Sequence, residues 1–96
     1  MIKHVVCFKL ADPTPEACEK ARAVLLSMEG KVEQIRHIEV GVDFLHSARS
    51  YDIHLEVWVD DRAALDAYQQ HPYHVDVVKT HMHAVSQTSV SVDWEV

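Results

Sequence analysis

The stretch that decides the fold is residues 2–10, IKHVVCFKL, in which one face is apolar apart from a single histidine. A period of two with β-branched residues is typical of a β-strand. This face carries Ile2, His4, Val6, Phe8 and Leu10. Two prolines close the strand, and Thr14 and Pro15 suit the N-cap and the first position of a helix. The spacing of apolar residues that follows predicts this helix over residues 15–29.

The middle of the chain returns to period two. Residues 32–44 and 51–59 alternate on either side of a polar turn, which predicts an antiparallel hairpin. After the hairpin, either Asp60 or Asp61 can cap a second helix.

Pro72 should interrupt that second helix, because proline lacks the backbone N–H that a helix interior uses. A further helical piece is predicted over residues 73–82, followed by a last strand over residues 89–96. We expect the apolar face of this strand, which includes Val92, to lie against the helices.

The resulting order is β-α-β-β-α-β, which predicts an α+β chain of the ferredoxin-like type. In this fold a four-stranded antiparallel sheet carries its helices on one face. A length of 96 residues predicts one domain over residues 1–96. Such a domain buries only about 60–65% of its unfolded surface, so a partner subunit would add stability.

Composition excludes several classes of function. The formal net charge is −6 and the nine Lys and Arg residues are scattered, which argues against nucleic acid and against anionic membranes as partners. The amino terminus has no signal-peptide pattern, and the two cysteines are not in a metal-binding spacing. We therefore expect a cytoplasmic protein with reduced thiols.

The second face of the sheet is mixed. It combines apolar residues such as Val5 and Trp58 with charged residues such as Lys3 and Glu56. Such a face can be solvated, or it can be a moderately polar interface across a two-fold axis.

Five stretches together resemble the stress-responsive A/B barrel (Dabb) family. They are IKHVV (2–6), VGVD (40–43), SARSYD (47–52), AYQQHPYH (67–74) and SVSVDW (89–94). The resemblance covers nearly the whole chain. It implies a homodimer, a dimeric α/β barrel in which the two mixed sheet faces pack together, and a pocket between sheet and helices in each subunit.

The resemblance also implies candidate catalytic residues. Known members of the family include a plant polyketide cyclase, which closes a ring by an intramolecular aldol-type condensation. Its Tyr and His from the helix region and its His near the chain start match Tyr68, His74 and His4.

The chemistry of these side chains suits acid–base catalysis without a cofactor. The imidazole of His74 can serve as a general base near neutral pH. The phenol of Tyr68 can donate a hydrogen bond to a developing enolate oxygen. A buried His4 needs a hydrogen-bond partner, because an unpaired polar group inside the fold is costly.

Three other interpretations of these residues remain open. His4, His74 and Tyr68 can be structural groups that tie the second helix to the sheet, while His71 caps the helix that begins at Pro72. The close spacing of four of the eight histidines, 71, 74, 81 and 83, can indicate a metal site. Cys7 as a nucleophile is the weakest, because the alternation places it opposite His4.

The sequence thus predicts a homodimer with a mostly apolar small-molecule pocket and no cofactor or metal. The expected apolar wall comprises Ile2, Val6, Phe8, Leu55, Val57 and Val92, with His4, Tyr68 and His74 as polar groups. The ligand would be a small apolar or aromatic molecule, and the reaction a cyclisation or isomerisation of a carbonyl compound. The alternative is a non-enzymatic stress-responsive or ligand-binding scaffold.

Overall fold

A computed structural model describes all residues from Met1 to Val96. Its elements, in chain order, are β1 (Ile2–Leu10), α1 (Pro15–Leu26), β2 (His37–Val42), β3 (Ile53–Val59), α2 (Arg62–Gln70), a π-helical segment (His74–Lys79), α3 (Thr80–Val85) and β4 (Ser86–Glu95). The four strands form one antiparallel sheet in the order β2-β3-β1-β4. The predicted ferredoxin-like α+β fold is confirmed. No helix combines the length and apolarity that crossing a membrane would require.

Local hydrogen bonds explain where the helices begin. The Thr14 hydroxyl accepts from the Ala17 amide at 3.1 Å, with Pro15 in the first turn of α1. Of the two candidate caps for α2, Asp61 is the cap and accepts from the Ala64 amide at 2.8 Å. These caps satisfy backbone N–H groups that a helix leaves unpaired.

The core lies between the sheet and the helices. Alternate residues of β3 are almost completely buried, and α1 contributes Ala21 and Leu25 at 0% exposure. The buried β3 residues are Ile53, Leu55, Val57 and Val59. Period-two burial on a strand that pairs on both sides fixes its register, because a one-residue slip would expose the whole set.

Two predicted elements are longer than the observed ones. Helix α1 ends at Leu26, and a series of turns follows that includes Gly30 at φ 81°, a left-handed conformation that glycine adopts without strain. The predicted strand over residues 32–44 is formed only over His37–Val42. Val32 is nevertheless 2% exposed, so its apolar character reflects a buried turn.

The prediction that the apolar face of the last strand lies against the helices was wrong. In antiparallel pairing, directly opposite residues project to the same side. His4 lies opposite Asp93, and Val5 lies opposite Val92. The helix-side face of β4 is therefore polar, and Val92 lies on the other face of the sheet with 62% of its surface exposed.

The second helical region is interrupted as Pro72 predicted. Helix α2 ends at Gln70. The next residue, His71, accepts at Nδ1 from the Tyr73 amide at 3.1 Å and so caps the next helix. That helix runs through a π-helical segment before α3. Six-residue π segments are rare and are found most often at functional sites.

The sheet face away from the helices, called the open face below, is the mixed face of the sequence. It is apolar along β4, with Val90, Val92 and Trp94 at 50%, 62% and 42% exposure. Towards β2 it becomes polar, where the Glu56 carboxylate accepts from the Trp58 indole at 2.7 Å.

Ile53→Ala should lower the free energy of unfolding by about 2–5 kcal/mol, because it removes core methyl groups and leaves a cavity. Leu45→Ala, at a residue with 68% exposure, is the control and should change it by less than about 0.5 kcal/mol. Urea titration measures both, and equal effects would contradict the described core.

Candidate functional site

A cavity of about 100 Å³ lies between the sheet and the second helical region. Its lining residues come from every element except β2 and include His4, Val6, Phe8, Leu25, Leu55, Tyr68, His74, Val78, Lys79, Met82, His83, Ser86 and Ser89. Its inner wall is apolar and buried. Its mouth is formed by exposed polar residues of α3 and β4.

Tyr68 lies at the centre of the polar groups. It is 0% exposed, and its hydroxyl has no hydrogen-bond partner in the protein. Its ring centroid lies 5.6 Å from that of His4 and 4.8 Å from that of His74. Burial raises the pKa of the phenol far above its usual range, so the hydroxyl stays protonated and remains a donor.

His74 begins the π-helical segment and is half-buried. Its Nδ1–H donates to the Gln69 carbonyl oxygen at 3.1 Å, because a carbonyl can only accept. Nε2 is then the ring nitrogen with a free lone pair. Burial lowers the pKa of His74 below 6.5, and neighbouring positive charges on His4 and Lys79 act in the same direction, while the hydrogen bond to Gln69 opposes them.

His4 is the one buried polar residue, at 7% exposure. Its Nδ1 pairs with the Asp93 carboxylate across the β1–β4 pairing. A carboxylate on one ring nitrogen fixes the orientation of the imidazole.

The predicted site residues are only partly brought together. His4, Tyr68 and His74 all line the cavity, as do Val6, Phe8 and Leu55. Val57 does not line it, because it is packed completely within the core. Ile2 also lies in the core outside the cavity, and Val92 is excluded because it lies on the open face.

Sequence reasoning missed Asp93, Lys79, His83, Ser86 and Ser89. Asp93 was missed because the prediction placed the wrong face of β4 against the helices. A signal for it existed, since a strand-borne histidine directed into the core requires a partner. Ser89 was missed for the same reason, because it lies on the same face of β4 as Asp93. Lys79, His83 and Ser86 depend on the path of the helix through the π segment, which the sequence pattern does not specify.

The alternative sites are not assembled. No group of three or more His, Cys, Asp or Glu side chains is arranged to hold a metal ion. The Cys7 thiol lies on the open face, 3.7 Å from His54 Nδ1, and burial raises its pKa above 9.0. A raised thiol pKa lowers the fraction of reactive thiolate.

The comparisons agree with this architecture. The model of the stress responsive A/B barrel domain matches residues 2–96. The chain belongs to this family. No curated protein matched the chain.

Solved structures of similar fold include two proteins described as dimeric, of unknown function and ferredoxin-like. The one from Bacteroides fragilis is 26% identical with a TM-score of 0.84, covering 99% of this chain and 95% of that one. The one from Thermobifida fusca is 23% identical with a TM-score of 0.85, at 99% and 90% coverage. A hydroxynitrile lyase from Passiflora edulis is 11% identical with a TM-score of 0.83, at 99% and 92% coverage.

The buried state of His74 makes a prediction about pH. Because its native pKa lies below 6.5, the unfolded chain takes up this proton first as pH falls, and protonation opposes folding. NMR titration should give a His74 midpoint below 6.5 in the folded protein and about 6.5 in urea. A folded midpoint at or above the urea value would contradict the described environment.

Proposed function

We propose that the chain is a homodimeric A/B barrel protein whose cavity performs cofactor-independent acid–base chemistry on a small carbonyl compound. The observation that carries this proposal is the Tyr68 side chain, which lines the cavity with its ring close to those of His4 and His74 and its buried hydroxyl without a partner in the protein. An unsatisfied buried donor is costly, and a substrate oxygen would remove that cost.

The chemistry assigns a separate role to each ring. The free Nε2 of neutral His74 removes a proton from the carbon next to the substrate carbonyl, so that the C–H bond breaks and an N–H bond forms. The electron pair moves onto the carbonyl oxygen, and Tyr68 stabilises that oxyanion by a hydrogen bond. The enolate then takes a proton back at another carbon or attacks a second carbonyl group.

His4 and Asp93 support this chemistry from the sheet. Asp93 holds the His4 imidazole in one orientation beside the Tyr68 ring, and the proton taken up by His74 returns to the product from its Nε2–H. The hydroxynitrile lyase of the same fold is an example of an enzyme built on this architecture, and the resemblance to a polyketide cyclase suggests the same three positions.

The cavity limits the size of the reacting group. An engineered apolar cavity of about 150 Å³ accommodates benzene, so a space of about 100 Å³ accommodates less. The reacting end of the substrate is therefore small, and a longer substrate would extend through the mouth.

A non-enzymatic scaffold is the second candidate, and one observation favours it. The His4–Asp93 pair joins two neighbouring strands, and the His74–Gln69 bond joins the π segment to α2. In a stress-responsive or ligand-binding scaffold these bonds would serve stability alone, and His74→Ala would lower the melting temperature without changing any ligand's effect.

The homodimer is proposed to form through the open face. Its exposed apolar residues on β4 form the kind of patch that marks an interface. The similar proteins from Bacteroides fragilis and Thermobifida fusca are themselves dimeric. A cytoplasmic location is part of the proposal, consistent with two free cysteines.

The catalytic role can be tested without knowing the natural substrate. In deuterium oxide, the protein should catalyse deuterium uptake by acetone and butanone, followed by NMR. His74→Ala and His74→Gln should slow it by about 10²–10⁴-fold, and Tyr68→Phe by about 10²-fold. His46→Ala, in an exposed loop, is the control. Equal exchange in wild type and both His74 variants would refute the mechanism.

The interface makes a separate prediction. Val92→Glu should convert the dimer to a monomer at micromolar concentration, because an unpaired charge would be buried in the contact. Val77→Glu, on the helix side with 42% exposure, should leave the dimer intact. Analytical ultracentrifugation measures both, and a monomeric wild type would refute the interface.

A further inference from the structure

The cavity differs in charge from the rest of the molecule. The chain has a formal net charge of −6, yet no Asp or Glu lines the cavity, whereas Lys79 and three histidines do. The nearby Asp93 carboxylate is engaged by His4.

Two of the basic residues lie at the mouth of the cavity on one side of the helix. Lys79 ends the π-helical segment and His83 lies four residues later in α3, a spacing that places them on the same helix face. Both are exposed, and neither has a carboxylate within 4.0 Å. The Lys79 ammonium group and the His83 imidazole are therefore available to a ligand.

A hydroxyl completes this group of donors. Ser86 lines the same cavity, and its Oγ is buried without a hydrogen-bond partner. At the inner end, the Tyr68 hydroxyl is buried and unpaired as well. Two unsatisfied hydroxyls, those of Tyr68 and Ser86, thus belong to residues that line the cavity together with apolar side chains.

We propose that the ligand of this cavity is an oxo acid, a carbonyl compound that also carries a carboxylate. The carbonyl oxygen accepts from Tyr68 at the inner end, and the carboxylate lies at the mouth against Lys79, His83 and Ser86. The inference rests on the proposed function for the carbonyl end, and it adds the substrate class. Charged hydrogen bonds at the mouth select acids over neutral compounds of the same shape.

Matched pairs of probes test the selection. The acids are 2-oxobutanoate, 4-oxopentanoate and 5-oxohexanoate, which differ in the spacing between carbonyl and carboxylate, and each has its uncharged primary amide as the neutral partner. Binding is measured by amide chemical shifts in ¹⁵N-labelled protein at low salt. At least one acid should bind about threefold to tenfold more tightly than its amide, with shifts at both Lys79 and Tyr68.

Variants assign the preference to the mouth. Lys79→Gln should weaken binding of the acid more than binding of the amide and so remove most of the preference for the acid, and Ser86→Ala should reduce this preference. Lys31→Gln, an exposed lysine in the turns after α1, is the matched control and should have no effect. Higher salt should weaken the acids and spare the amides.

The outcomes separate this inference from the proposed function. Amides that bind as tightly as all three acids, no binding by any acid, or equal effects of the two lysine variants would overturn the oxo acid assignment. Deuterium exchange into neutral ketones could persist in each of those cases. Conversely, the acids could bind more tightly than the amides through Lys79 while no deuterium exchange depends on His74. That result would support a binding site for oxo acids and refute the proposed catalysis.

Discussion

The structure depends on one constraint, which is that the buried imidazole of His4 must have a partner. In this structure the partner is Asp93 on the neighbouring strand. This pairing sets the register and the facing of β4. Once Asp93 is directed to the helix side, alternation forces Val92 and Trp94 onto the open face. A polar contact inside one subunit therefore produces the apolar surface through which the proposed homodimer forms.

Much of the fold could be predicted from periodicity, because burial repeats every second residue on β3 and follows helical spacing on α1. Periodicity identifies which residues share a face, but it does not say which face meets the helices. On β4 the more apolar face is the outer one. The rule that the apolar face of a strand packs against the helices therefore failed at Val92. The rule assumes an isolated chain, whereas this sequence has apolar residues on both sides of its sheet.

The inner end of the candidate site could be predicted from the sequence, whereas its outer end could not. The inner end came from resemblance and from the chemistry of His74 and Tyr68. The outer end depends on the backbone between Pro72 and Ser86, where hydrogen bonds shift from the α-helical to the π-helical spacing. That shift changes which side of the helix Lys79 and His83 occupy. No residue type in the segment predicts the π-helical spacing.

The polar inner side of β4 also affects how this protein can change over time. Ser89 and Ser91 are exposed and lie outside the hydrophobic core, although Ser89 borders the cavity. Substitutions at Ser89 can alter the shape of the cavity at little cost in folding stability. The strand thus separates the residues that tune recognition from those that maintain the fold. Relatives with the same architecture can bind different ligands if they differ at cavity-lining residues outside the core, such as Ser89. Laboratory evolution of new ligand selectivity would best begin with such residues.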